Sequence, residues 1–204
     1  MNYRTALLAT AATLALSASA IAAPITFGSQ LNISGFDQAV GGTSLDTATG
    51  LDFTDGGGAP SPGTAGTITS YSGTGTFAGL SCNASCGLIQ DLLDFTSFVP
   101  TNNFYTTTAG VAFDLDAITN ITRIPSDGGS LPTLIVSGTG QFEYDGFDDT
   151  PAIFTLTTQG GTVTTFSAST VAQAVAEIPA PANFALLGFG LLGLGMAARN
   201  RKAG

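Results

Sequence analysis

Histidine and tryptophan are absent from all 204 residues. Without an imidazole there can be no Ser-His-Asp triad, no Cys-His nucleophile pair and no histidine metal site, so most hydrolase mechanisms are closed to this chain. Basic residues are scarce as well, five in total. Arg4, Arg199, Arg201 and Lys202 sit at the two ends, which leaves Arg123 alone in the body against fourteen carboxylates. A body without lysine has no Schiff-base chemistry. A surface this acidic repels phosphate backbones, so no nucleic-acid partner is expected, whereas calcium, cationic polymers and neutral glycans fit the charge. Any catalysis would fall to carboxylates alone, and the chain is expected not to be an enzyme.

Only two cysteines are present, Cys82 and Cys86. With no histidine and no further thiol to complete a zinc site, a disulfide is the natural reading, provided the intervening Asn83-Ala84-Ser85 brings the two Cα atoms within reach. That reading needs an oxidising compartment, and the N-terminus supplies one. One positive charge at Arg4, an uncharged apolar run from Ala6 to Leu16 and small residues at Ala18-Ser19-Ala20 and Ala22 form the layout of a secretory signal peptide over residues 1–22. Cleavage is expected after Ala20 or Ala22.

At the other end, Ala182 to Ala198 carries no charge and is followed at once by Arg199, Arg201 and Lys202. As a helix this run would reach about 25 Å, enough for a tilt-free, marginal membrane span. The basic stop stays on the cytoplasmic side and puts the body outside the inner membrane. Gly188-Phe-Gly190-Leu-Leu-Gly193 satisfies a dinucleotide-binding pattern, but no strand precedes it and no chain remains to complete such a fold.

Between the ends, residues 23–176 are enough for one domain with a hydrophobic core. Ile25, Phe27, Leu31 and Ile33 alternate with polar residues, as do Val111, Phe113 and Leu115 against Asp114 and Asp116, and Leu134, Val136, Phe142 and Tyr144 against Ser137, Thr139, Gln141 and Glu143. This is the period of half-buried strands. Ile153 to Leu156 and Val163 to Phe166 add two more. Turn residues punctuate them at Asp55 to Gly58, Pro125 to Gly129, Asp145-Gly146 and Gly160-Gly161. The expected fold is all-β: an antiparallel β-sandwich of jelly-roll type with about eight strands, flanked by the signal peptide and a C-terminal transmembrane helix. A short helical turn within Gly87 to Phe98 is the one exception the pattern permits. Ser72-Gly-Thr-Gly-Thr-Phe77 is echoed 65 positions later by Ser137-Gly-Thr-Gly-Gln-Phe142. The glycines predict a bulge or a close approach of backbones.

The segment Glu177-Ile178-Pro179-Ala180-Pro181-Ala182, the Gly/Leu-rich run through Met196 and the basic tail resemble, in that order, the PEP-CTERM sorting signal. Ala180 stands where that signal has its central acidic residue. The resemblance covers residues 177–204 and implies export by the general secretion machinery, transit through the inner membrane, cutting by an exosortase near the Pro motif, and delivery to the surface or matrix of a Gram-negative bacterium that makes exopolysaccharide.

Three constellations carry conceivable chemistry. Asp114 and Asp116 lie two apart on a strand, at a spacing compatible with an inverting glycosidase pair, and Glu143 with Asp145 offers another; a solvated strand face is the preferred reading of both. Asp145, Asp148 and Asp149 around Gly146 gather oxygen ligands on a turn, as calcium favours, with Asp52 and Asp55 a second, less favoured set. Tyr71, Tyr105 and Tyr144 are the best aromatic platforms for a carbohydrate-binding module. Thr106 to Thr108 invites glycosylation. The leading expectation is a structural or adhesive surface protein associated with exopolysaccharide, with no cofactor unless it is calcium.

Overall fold

The computed structural model describes residues 22–56, 61–127, 129–160 and 164–175. The signal peptide through residue 21, Pro179, Ala180 and Pro181 of the sorting motif, and Arg199, Arg201 and Lys202 of the membrane stop lie outside the described residues. Among the described residues no helix is long and apolar enough to cross a membrane.

The body is all-β. Its strands are β1 (Ala23–Pro24), β2 (Gln30–Val40), β3 (Gly50–Thr54), β4 (Gly66–Thr74), β5 (Ser81–Ile89), β6 (Thr101–Thr107), β7 (Val111–Ile124), β8 (Thr133–Tyr144), β9 (Phe147–Asp148), β10 (Thr150–Gly160) and β11 (Thr164–Ala172), with one 3₁₀ turn at Gly75–Phe77. From β4 onward each long strand pairs antiparallel with the next, and β11 returns to pair with β2, Thr164 opposite Asp37 through Val171 opposite Gln30. β2 also pairs with β4. Eight strands therefore close into an up-and-down barrel. This corrects the expected two-sheet sandwich: one continuous sheet curls until its first and last strands bond, which removes the open edges a sandwich would keep.

An eight-stranded barrel has an interior just wide enough for side chains to fill. Here aromatic rings fill it in a continuous column. Phe166 packs on Phe53 at 5.0 Å, Phe53 on Phe104 at 6.2 Å, Phe104 on Phe154 at 5.3 Å, Phe154 on Phe113 at 5.9 Å, and Phe113 on Phe142 at 5.8 Å. Tyr105 stacks on Phe113 and donates its hydroxyl to Thr170 Oγ1 at 2.8 Å. Phe77, in the 3₁₀ turn, plugs one end against Phe142 and Tyr144. At the other end β3 extends the line of β4 along β2, and its Leu51 bridges to Leu92. Leu45 and Ala48, in the loop that precedes β3, are fully buried.

The predicted strands at 111–117, 134–144 and 153–156 fall within β7, β8 and β10, each longer than its signal; of the one at 163–166, residues 164–166 open β11 and Val163 lies outside the described residues. The first predicted strand is interrupted: residues 27 and 28 form a turn, Phe27 is 67% exposed, and β2 begins only at Gln30. The stretch from Gly87 to Phe98 is not helical; its first part completes β5, and Leu92 makes the bridge to β3. Cys82 and Cys86 are disulfide-bonded with Cα atoms 5.7 Å apart, in the usual range. The bond closes a loop within β5 where Ala84 and Ser85 have positive φ and β4 advances only from Ile68 to Ser70.

Candidate functional site

Outward-facing residues follow from the register. One row runs Asn120, Ser137, Thr155, Ser169, Asn32, Ser72, Ser81, each directly opposite the next across β7, β8, β10, β11, β2, β4 and β5. The neighbouring row runs Thr122, Ile135, Thr157, Ser167, Ser34, Ser70, Asn83 across the same strands. Every one of these side chains is exposed or half-exposed, because inward positions alternate with them along each strand. The two rows form a belt around seven of the eight barrel strands that contains no charge, no aromatic ring and a single apolar residue. Strand spacing sets its hydroxyl and amide groups about 4.8 Å apart. Within it Ser34 and Ser70 share a hydrogen bond at 2.6 Å, and Gln30 Nε2 donates to Asn32 Oδ1 at 2.6 Å. A shallow groove crosses the belt, lined by Asn32, Ser34, Ser70, Ser72, Asn83 and Ser167. This apolar-in, polar-out alternation is the reverse of an outer-membrane barrel, whose apolar band faces lipid.

The carboxylates lie towards the two ends. At one end Asp114, Glu143, Asp145 and Asp149 gather near the turn between β8 and β10. Asp114 Oδ1 accepts the backbone N–H of Asn103 at 2.6 Å. The Asp114 carboxylate beside Glu143, helped by burial and by Asp149, raises the Glu143 carboxyl above its ordinary range. Glu143, Asp145 and Asp149 line an open groove together with Tyr144 and Phe147, whose rings stack within 6° of parallel at 5.5 Å. Asp116 stands on the outer face beyond this groove, at a register shift in β7. Both Asp114 and Asp116 thus face outward from a convex wall.

Asp145, Asp148 and Asp149 are all exposed. Among the described residues no three acidic or cysteine side chains come together in a way that would hold a metal ion. Asp55 is taken up by a hydrogen bond from the Thr67 hydroxyl and does not join Asp52, whose partner is Asp91.

Two of the three tyrosine platforms are internal. Tyr105 is fully buried, which pushes its phenol far above the ordinary range, and Tyr71 is 7% exposed with its hydroxyl near Thr108 Oγ1 at 3.3 Å. Tyr144 alone keeps part of its ring at the surface. Sequence reasoning missed the belt because its members are unremarkable singly; alternating Ser and Thr in β10, β11 and β2 were visible, but only the register aligns them.

No known protein family, curated protein or solved structure matches the chain.

Proposed function

We propose that this chain is an exported, non-enzymatic protein of the cell surface or extracellular matrix, processed by an exosortase, whose barrel associates with neutral exopolysaccharide along the uncharged belt. The belt carries this reading. A polymer of sugar hydroxyls is matched by closely spaced Ser, Thr and Asn groups that both donate and accept, and a charge-free strip lets it approach without desolvating carboxylates. The filled interior supports the same conclusion, since the aromatic column occupies the space where an eight-stranded barrel would otherwise hold a small ligand. Export rests on the signal peptide and the PEP-CTERM-like tail, and the disulfide accords with it. The inner membrane is the route and the surface of a Gram-negative cell the destination.

A second reading, a carbohydrate-binding module, draws on the stacked Tyr144–Phe147 pair beside Glu143 and Asp149. A ring presented beside hydrogen-bonding acids is how one sugar unit would be gripped. A glycosidase draws less support, because Asp114 and Asp116 do not face each other across a cleft.

Intact mass and fractionation of the native protein, with and without a functional exosortase, test the sorting part. Enzyme-dependent loss of residues 199–204 and release to the surface are expected. Retention of the full tail in the inner membrane would make it an ordinary anchor.

A further inference from the structure

At the end of the barrel opposite Phe77, two carboxyl groups meet beneath an exposed segment. Asp52 lies mid-way along β3 and is fully buried. Its Oδ2 accepts the backbone N–H of Ser61 at 2.7 Å, while its Oδ1, also buried, has no hydrogen-bond partner. Asp91 accepts the N–H of Phe53 at 2.8 Å on one oxygen and that of Gly63 at 2.6 Å on the other, and its carboxyl comes within hydrogen-bonding reach of Asp52. Ser61 and Gly63 are exposed. Apart from a local turn between Ser61 and Thr64, the hydrogen bonds of residues 61–63 to other described residues run to these two side chains. No opposite charge faces the pair. Arg123, the only basic side chain among the described residues, donates to the Ala48 carbonyl at 2.8 Å and lies over the Phe95 ring. The residue across β2 from Asp52 is the neutral Gln38, while Asp37, across from Phe53, is bonded to Thr158 and Thr164. Asp55 accepts the Thr67 hydroxyl, and Asp94 that of Thr96.

We propose that Asp52 and Asp91 share one proton and together form a latch, closed while the proton is in place and released when it leaves, that holds residues 61–63 on the end of the barrel. Two adjoining acids with no counter-charge cannot both ionise at little cost, so one proton serves the pair. The geometry places it. Both Asp91 oxygens already take an N–H, and Asp52 Oδ1 is the one oxygen left without a hydrogen, so a proton there donates to Asp91 and completes the set. Three N–H groups then hold the single remaining charge. Burial, and after it the charge of Asp52 and contact with it, raises the Asp91 carboxyl against the bonds from Phe53 and Gly63. With the proton gone, two like charges face each other; Asp91, half-buried, is the one free to turn to solvent, and in turning it lets go of Gly63. The paired acids give up the proton at higher pH than a lone aspartate, near 3.9. The latch is therefore fully closed below about pH 4 and weakens as pH rises through the titration of the pair. It is independent of the belt.

Amide hydrogen exchange of the full chain, read by NMR from about pH 4 to about pH 8 and expressed as protection factors, tests the proposal. Protection of Ser61 and Gly63 should fall by up to about 10-fold per pH unit once the pair ionises, as loss of one proton requires. Asp52→Asn should abolish the fall: its amide N–H₂ donates where the proton stood, and its oxygen still accepts from Ser61. Asp37→Asn should leave the fall unchanged, which separates the latch from the titration of Asp37. Should Asp52→Asn fail to fold, the side-chain carboxyl carbons of the unaltered chain decide the matter, with Asp52 and Asp91 expected to titrate together in shared steps. Protection that does not change with pH in the unaltered chain would overturn the proposal, as would a fall that persists in Asp52→Asn or vanishes in Asp37→Asn, or carboxyl carbons that titrate independently.

Discussion

The rings of Phe77 and Phe142, the last residues of the two Ser-Gly-Thr-Gly segments, lie 4.9 Å apart at one end of the barrel. The echo in the sequence is therefore a contact in space. Each segment delivers a phenylalanine to the same plug, and each uses its glycines to bring backbone close. Gly75 has φ of +63° and starts the 3₁₀ turn that swings Phe77 inward. Gly138 and Gly140 lie on the inner face of β8, where a methyl group at Gly138 would come within 2.6 Å of the Ala117 carbonyl oxygen and 2.7 Å of Leu115.

Gly140→Ala should destabilise the barrel more than any surface change, because its methyl would collide with the Asp114 carbonyl oxygen and crowd the Phe113 ring. Overpacking of this kind costs about 1–3 kcal/mol, with backbone contact at the upper end. Urea unfolding measures it; Gly110→Ala, at a turn with open space around it, should cost less and for reasons of φ alone.

Asp37 should make stability fall as pH rises. Its carboxyl is buried among Thr158 and Thr164, and burial, only partly offset by their hydrogen bonds, pushes it up to about 6. The unfolded chain releases this proton near pH 3.9. Its contribution is thus fully present below about pH 4, is lost as pH rises to about 6, and is flat above; the loss is about 3 kcal/mol at most. The stability difference between the unaltered chain and Asp37→Asn, followed by denaturant unfolding over this window, should shift in favour of the variant as pH rises. A difference that stays constant would contradict the assignment.

Replacing Cys82 and Cys86 with alanine should cost about 2 kcal/mol, the chain-entropy value for so short a closed loop. The bond spans a sequence separation of 4 and holds the loop in which Ala84 and Ser85 have positive φ. The barrel should remain closed, with hydrogen exchange quickening in β5 next to Thr69 and not at the β2–β11 seam. Global loss of protection would show that the loop is essential to closure.

Periodicity was sufficient for β7, β8, β10 and β11 because each has one face against the aromatic column. It failed where bulges flip parity. Phe104 and Tyr105 are adjacent and both buried, because Asn103 at φ +50° and a register shift between Thr101 and Tyr105 turn the strand over. Tyr71 turns inward after the shift between Ile68 and Ser70. The β6 bulge has no glycine or proline of its own to announce it, and the glycine at the β4–β5 shift, Gly87 at φ +154°, lies on the partner strand. Closure was hidden for a different reason: the pairing of β11 with β2 joins residues more than a hundred positions apart, and outward Ser and Thr suit an edge strand as well as a paired one. The carboxylates were legible as polar positions, but which of them meet depends on β3 lying beside Asp91, a relationship that no local pattern encodes.

The belt is tested most directly by co-sedimentation of the full chain with neutral exopolysaccharide from its own host, comparing the unaltered protein with a Ser167→Glu, Ser169→Glu double variant. Two charges placed in adjacent rows at the centre of the belt should reduce retention at least ~10-fold, since each buried, unpaired charge opposes binding. Retention by the unaltered protein should change little with salt, because no ion pair is involved. Equal retention of the two proteins, or loss on Tyr144→Ala instead, would contradict the belt and move the contact to the Tyr144–Phe147 groove.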